Sequence, residues 1–104
     1  MRGLAASPGT YTGFVRVLHS EADFDRIHPG DVLVCPITAP PWSMLFPNVG
    51  ALVTDWGSLL SHPAIIAREF HIPAVLATGN ATSLLRDGQQ VTVDGTAGTV
   101  EVLS

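Results

Sequence analysis

The chain has 104 residues, of which 46% are hydrophobic and 13% charged, and carries a formal net charge of −4 at pH 7. That length suits one compact domain with its own core and is too short for two. The acidic balance, with all five cationic side chains arginine and none clustered, excludes nucleic acid and anionic membrane as main partners.

The single cysteine, Cys35, lies in the apolar run VLVCP and cannot form an internal disulfide, which points to a reducing cytoplasm. No stretch is long and apolar enough to span a bilayer, and the start lacks the charged-then-apolar layout of a signal peptide.

In chain order, Ser7-Pro8-Gly9 marks a bend after small, turn-forming residues, and Gly13 to Leu18 reads as a β-strand. Ser20 with Asp23 resembles a capping box, so Glu21 to Ile27 is expected as a short helical turn with Phe24 and Ile27 inward. His28-Pro29-Gly30-Asp31 signals a turn before the buried strand Val32 to Cys35. Pro40 and Pro41 open a short helix over Trp42 to Phe46, with Trp42, Met44, Leu45 and Phe46 taken as core. Ala51 to Thr54 is another buried strand.

A loop follows, loosened by Gly57 and Ser58, and a helix should start at residue 62 or 63, with Ser61 as its cap and Pro63 in its first turn. Ile66, Ala67 and Phe70 share an inward face of this helix, while Arg68 and Glu69 point outward. The helix must stop before Pro73. Pro73 to Leu76 resumes β character, making a parallel pair with a crossover helix the simplest arrangement. Thr78-Gly79-Asn80 turns into a short helix over Ala81 to Arg86, and Gln90 to Leu103 alternates as a β-hairpin. The sum is an α/β domain of about six short strands and two or three short helices, on a mixed, partly barrel-like sheet.

His62 is the leading chemical candidate. A neutral imidazole is a nucleophile near physiological pH, and free N–H groups at a helix start stabilise phosphoryl oxygens. Ser61 offers a further hydrogen bond to such a phosphate. The local pattern equally fits a histidine that only helps Ser61 cap the helix. His19, His28 and His71 sit at a strand end, before a turn and at a helix end, where solvent-facing imidazoles are common. A zinc site from Cys35, His62 and His71 lacks supporting C-x-x-C or H-x-x-x-H spacing. No G-x-S-x-G elbow occurs, and without lysine no P-loop can be built.

Thr54 to Val75 (TDWGSLLSHPAIIAREFHIPAV), Thr78 to Thr82 (TGNAT) and Asp87 to Val100, together with Ser7-Pro8-Gly9 and Pro29 to Val34, resemble the mobile, or swivelling, phosphohistidine domain of phosphoenolpyruvate-utilising enzymes. The resemblance covers nearly the whole chain. It implies a swivelling β/β/α domain in which His62 accepts a phosphoryl group and carries it between a nucleotide site, often an ATP-grasp domain, and an acceptor such as pyruvate or a drug-like hydroxyl. Gly57, Ser58 and Arg68 are then candidate contacts to substrate or a docked partner. The resemblance also implies that no cofactor is bound by this domain, and that Mg²⁺ with ATP or phosphoenolpyruvate belongs to partner domains, in cis or in trans. Three positions depart from the family pattern: Ser58 replaces a glycine, Pro63 an alanine, and Leu60 a common threonine. Leu60 makes the L-L-S-H segment more similar to rifampin phosphotransferases. Ser58 and Pro63 motivate the alternative of a non-catalytic docking or regulatory module that keeps the fold.

Overall fold

The computed structural model describes residues 1–104. Seven strands, β1 (Leu4–Ser7), β2 (Thr10–Val17), β3 (Val32–Cys35), β4 (Ala51–Thr54), β5 (Ala74–Leu76), β6 (Gln90–Asp94) and β7 (Thr99–Val102), form one sheet in the order β1-β5-β4-β3-β2-β6-β7. Strands β2 to β5 run parallel, and β1 on one side and the β6–β7 hairpin on the other are antiparallel. Two α-helices, α1 (His62–Glu69) and α2 (Ala81–Leu84), and two 3₁₀ turns, Glu21–Arg26 and Pro40–Leu45, complete the chain. The expected mixed α/β architecture is present, with the parallel β4–α1–β5 unit at its centre.

Strands β3, β4 and β5 are buried at every residue, as parallel strands covered on both faces must be. The period of two sorts their side chains by type. Leu33, Cys35, Leu52 and Leu76 face a core shared with α1 and both 3₁₀ turns. Val32, Val34, Val53 and Val75 face a second core shared with α2 and the hairpin valines Val91, Val93 and Val100. Leucines therefore meet α1 and the 3₁₀ turns, and valines meet α2 and the hairpin.

That curl nearly closes the sheet. Arg2 forms an isolated antiparallel bridge to Thr99, Gly3 N–H donates to the Gly98 carbonyl at 2.9 Å, and Val100 N–H donates to the Met1 carbonyl at 2.9 Å. The two edges thus meet, and few strand-edge groups remain open to unwanted pairing. The hairpin turn packs so tightly on this seam that a Cβ at Gly95 would lie 1.8 Å from the Ser7 carbonyl oxygen and 2.8 Å from the Ala74 nitrogen.

Several expectations from sequence need correction. Strand β1 falls in a segment read as turn-forming, and β2 starts at Thr10 rather than Gly13, because both strands find partners distant in sequence. Met44 is 68% exposed rather than core; the three-residue period of a 3₁₀ turn puts Trp42 and Leu45 inward together and turns Met44 out. Ser20 makes no side-chain cap; the Asp23 carboxylate accepts the His19 N–H at 2.9 Å instead. Phe70 is exposed because α1 ends there. Helix α2 stops at Leu84, since Val17 N–H donates to Asp87, and Gly88 and Gln89 bond the backbone of Val15, which draws the chain out onto β2.

Candidate functional site

The loop from Asp55 to Ser61 leaves the carboxyl end of β4 and is fixed from two sides. Its base is tied to the end of β3: Asp55 N–H donates to the Cys35 carbonyl at 3.2 Å and Trp56 N–H to the Pro36 carbonyl at 3.0 Å. On the other side it is tied to the segment after β5. Thr78 donates through both its N–H (3.1 Å) and its hydroxyl (3.0 Å) to the Thr54 carbonyl, and Gly79 N–H donates to the Asp55 carbonyl at 2.8 Å. The Asp55 side chain, only 7% exposed, accepts the Thr82 N–H at 2.9 Å and the Thr82 hydroxyl at 2.6 Å. A buried carboxylate is tolerated only with such partners. The two motifs T-D and T-G-N-A-T are thus one interlocked clamp.

Beyond the clamp the chain turns at Gly57, whose φ of 139° lies where side chains are strained. Ser58 does not have a positive φ, so the departure from a second glycine costs no backbone strain. Ser61 precedes α1 in extended conformation but makes no side-chain cap. Its hydroxyl instead donates to the Ser58 carbonyl at 2.6 Å and accepts the Ser58 N–H at 3.1 Å, closing the loop on itself. This corrects the expected capping role of Ser61.

His62 is the first residue of α1, followed by Pro63, buried in the first turn, where a missing N–H costs nothing. The expected cluster of free amides is reduced. Ala64 and Ile65 N–H both donate to the Ser61 carbonyl, at 3.1 and 3.2 Å, and Pro63 has none, so His62 N–H is the first-turn amide without a protein partner. The half-buried imidazole has its Nδ1 buried and unpartnered. Nε2, which is neither buried in this way nor hydrogen-bonded, is the nitrogen on the open side. Around it the surface is apolar: Trp56, Leu59, Leu60 and Ile65 are exposed, Leu60 at 86%, and no charged side chain lies between Asp55 and Arg68.

Arg68 is brought to the site, but its guanidinium is engaged. Nε donates to the Ala64 carbonyl at 3.1 Å and the outer nitrogen to the Leu59 carbonyl, stapling the apolar loop to the helix. Cys35, His62 and His71 do not converge, and no three His, Cys, Asp or Glu side chains gather as metal ligands. Burial, reinforced by the Asp55 charge, pushes the Cys35 thiol far above its ordinary range. His19, His28 and His71 face solvent as expected. The sequence alone does not join Asp55, which follows the apolar strand β4, to Thr82 in α2; the only signal is an acidic residue next to a buried strand, which needs a partner.

A family model described as PEP-utilising enzyme, mobile domain, matches residues 27–98. An uncharacterized phosphotransferase of Bacillus subtilis, YvkC, is 52% identical over 102 residues, covering 98% of this chain. A rifampicin phosphotransferase of a Streptomyces species is 46% identical over 104 residues, covering all of it. The chain spans 12% of the length of each of these relatives. Among solved structures, that of Enzyme I is similar with a TM-score of 0.67 and 34% identity, over 77% of this chain and 33% of that one. No helix is long and apolar enough to cross a membrane. With fold, loop and motifs agreeing over the matched length, the chain belongs to the mobile-domain family of PEP-utilising enzymes.

Proposed function

We propose that this domain is a phosphoryl carrier in which His62 is transiently phosphorylated on Nε2. The observation that carries the reading is the orientation of the ring at the helix start, with Nδ1 buried and Nε2 open. With the proton on Nδ1, the Nε2 lone pair attacks the donor phosphorus, a P–N bond forms, and the P–O bond to the donor breaks with its electron pair leaving on oxygen. Transfer to an acceptor hydroxyl or enolate reverses the sequence. The His62 N–H and the positive end of the α1 dipole offset the phosphoryl charge, Ser61 fixes the loop and is within the same turn, and Gly57, Ser58 and Arg68 shape and hold the loop against a docked partner.

The donor and acceptor sites belong, in this reading, to other domains in cis or in trans: an ATP-grasp nucleotide domain, which also holds Mg²⁺, and a second domain for phosphoenolpyruvate, pyruvate or a drug-like hydroxyl. A cytoplasmic setting fits the free buried Cys35. The exposed apolar side chains of the loop and helix start, Trp56, Leu59, Leu60 and Ile65, suit a closed, water-poor contact with either site, where a phosphoryl in transit is shielded from hydrolysis. The alternative of a docking or regulatory module that has lost the relay draws on Ser58 and Pro63, and both residues sit unstrained in the loop and first turn. The test supplies the chain in trans to a rifampicin phosphotransferase lacking its own mobile segment, with ATP and Mg²⁺. An acid-labile, base-stable phosphoryl adduct is expected on the wild type and not on His62→Ala. An adduct that survives in His62→Ala, or full complementation by His62→Gln, would overturn the carrier reading.

A further inference from the structure

A second polar recess lies apart from His62. A groove of about 450 Å³ opens outside the carboxyl end of β2, lined by Val17 and His19, by Arg26 of the first 3₁₀ turn, and by Thr82, Arg86 and Asp87 at and beyond α2. Phe24 and Ile27, on either side of Arg26, pack on the leucine core, whereas Ala81 and Leu85 of the α2 segment belong to the valine core. The groove therefore lies between elements that cover opposite faces of the sheet.

Its lining carries two arginines against one acid, Asp87, whose Oδ1 accepts the Val17 N–H at 2.7 Å and whose Oδ2 pairs with Arg26; the Asp23 carboxylate stands just outside the lining, accepting the His19 N–H at 2.9 Å. Arg26 also donates to the Val17 carbonyl at 2.9 Å, so its guanidinium is held in place at the rim. The Arg86 guanidinium and the His19 imidazole make no hydrogen bond or ion pair within the protein. Thr82 presents its wall with the hydroxyl spent on Asp55. The free Arg86 guanidinium and His19 imidazole, with the Asp87-paired Arg26 guanidinium fixed beside them, offer N–H donors to a compact anion.

We propose that this groove is a second anion site, distinct from the carrier histidine, that binds a phosphate dianion, either free or on a small monoester. The test is an amide NMR titration of the chain with orthophosphate and, in a parallel arm, glycerol phosphate, each against chloride at matched ionic strength. Saturable shifts at Val17, His19, Arg86 and Asp87 are expected, and the tighter arm identifies the source of the anion. Arg86→Gln, at an exposed position, should weaken binding about tenfold, while His62→Ala should leave these shifts in place. Shifts that do not saturate, that chloride reproduces, that survive Arg86→Gln, or that vanish in His62→Ala would each overturn the second site. Because the readout is binding at the groove, its outcome is independent of whether His62 carries phosphoryl.

Discussion

At the scale of single residues, the placement of His62 depends on groups that never touch it. Asp55 and Thr82 are distant in sequence, yet their 2.6 Å hydrogen bond joins the base of the histidine loop to the start of α2. Thr82→Val keeps the shape but leaves one oxygen of a buried carboxylate unpaired, and should cost about 1–3 kcal/mol of stability, read as a lower denaturation midpoint. Thr82→Ser should restore most of it. A Thr82→Val protein as stable as the wild type would show that the clamp is idle. His62 was legible in the sequence because glycine, serine and proline punctuate the chain around it; Asp55 and Thr82 were not, since a hydrogen bond across 27 residues leaves no local pattern.

At the scale of elements, α1 is the instructive case. Its start was readable from Ser61 and Pro63, but its end was ascribed to the proline at 73. The structure ends it earlier by a different device: Ile72 N–H donates to the Ala67 carbonyl at 2.9 Å and His71 N–H to the Arg68 carbonyl at 3.3 Å, with His71 at φ 57°. This is the paired bonding of a left-handed helix terminus, a position that glycine fills best. A non-glycine there is strained by about 1–2 kcal/mol. His71→Gly is therefore expected to stabilise the domain by about 1 kcal/mol, measurable as a rise in melting temperature. No rise would mean that the exposed imidazole has a compensating contact. The strands β3 to β5 were readable as apolar runs, whereas β1 was not, because its partner β5 follows it by some seventy residues and its own composition of small residues matches a turn equally well.

At the scale of the whole molecule, closure of the sheet decides which small residues are indispensable. Gly95 and Gly98 sit at the seam, and Gly98 adopts φ 78° with the Gly3 carbonyl 2.8 Å from where a Cβ would be. Gly95→Ala should force the hairpin turn away from β1 and β5 and lower stability by at least about 1–3 kcal/mol, the usual cost of overpacking, seen as an earlier unfolding midpoint and faster exchange of the Arg2 and Gly3 amides. Unchanged stability would mean that the turn can shift freely and that the seam is not tight. The hairpin itself was plain from its alternation; its return to the first three residues was not, since barrel closure is set by accumulated twist rather than by any one segment.

The same seam has a mechanical meaning. Met1 and Val100 exchange hydrogen bonds, the Met1 nitrogen reaching the Val100 carbonyl at 3.0 Å, so residues 1–3 run beside β7 in a body 30 × 29 × 22 Å across. The sheet cannot open at this edge without breaking these backbone hydrogen bonds together, whereas the loop bearing His62, between β4 and β5, lies outside the seam.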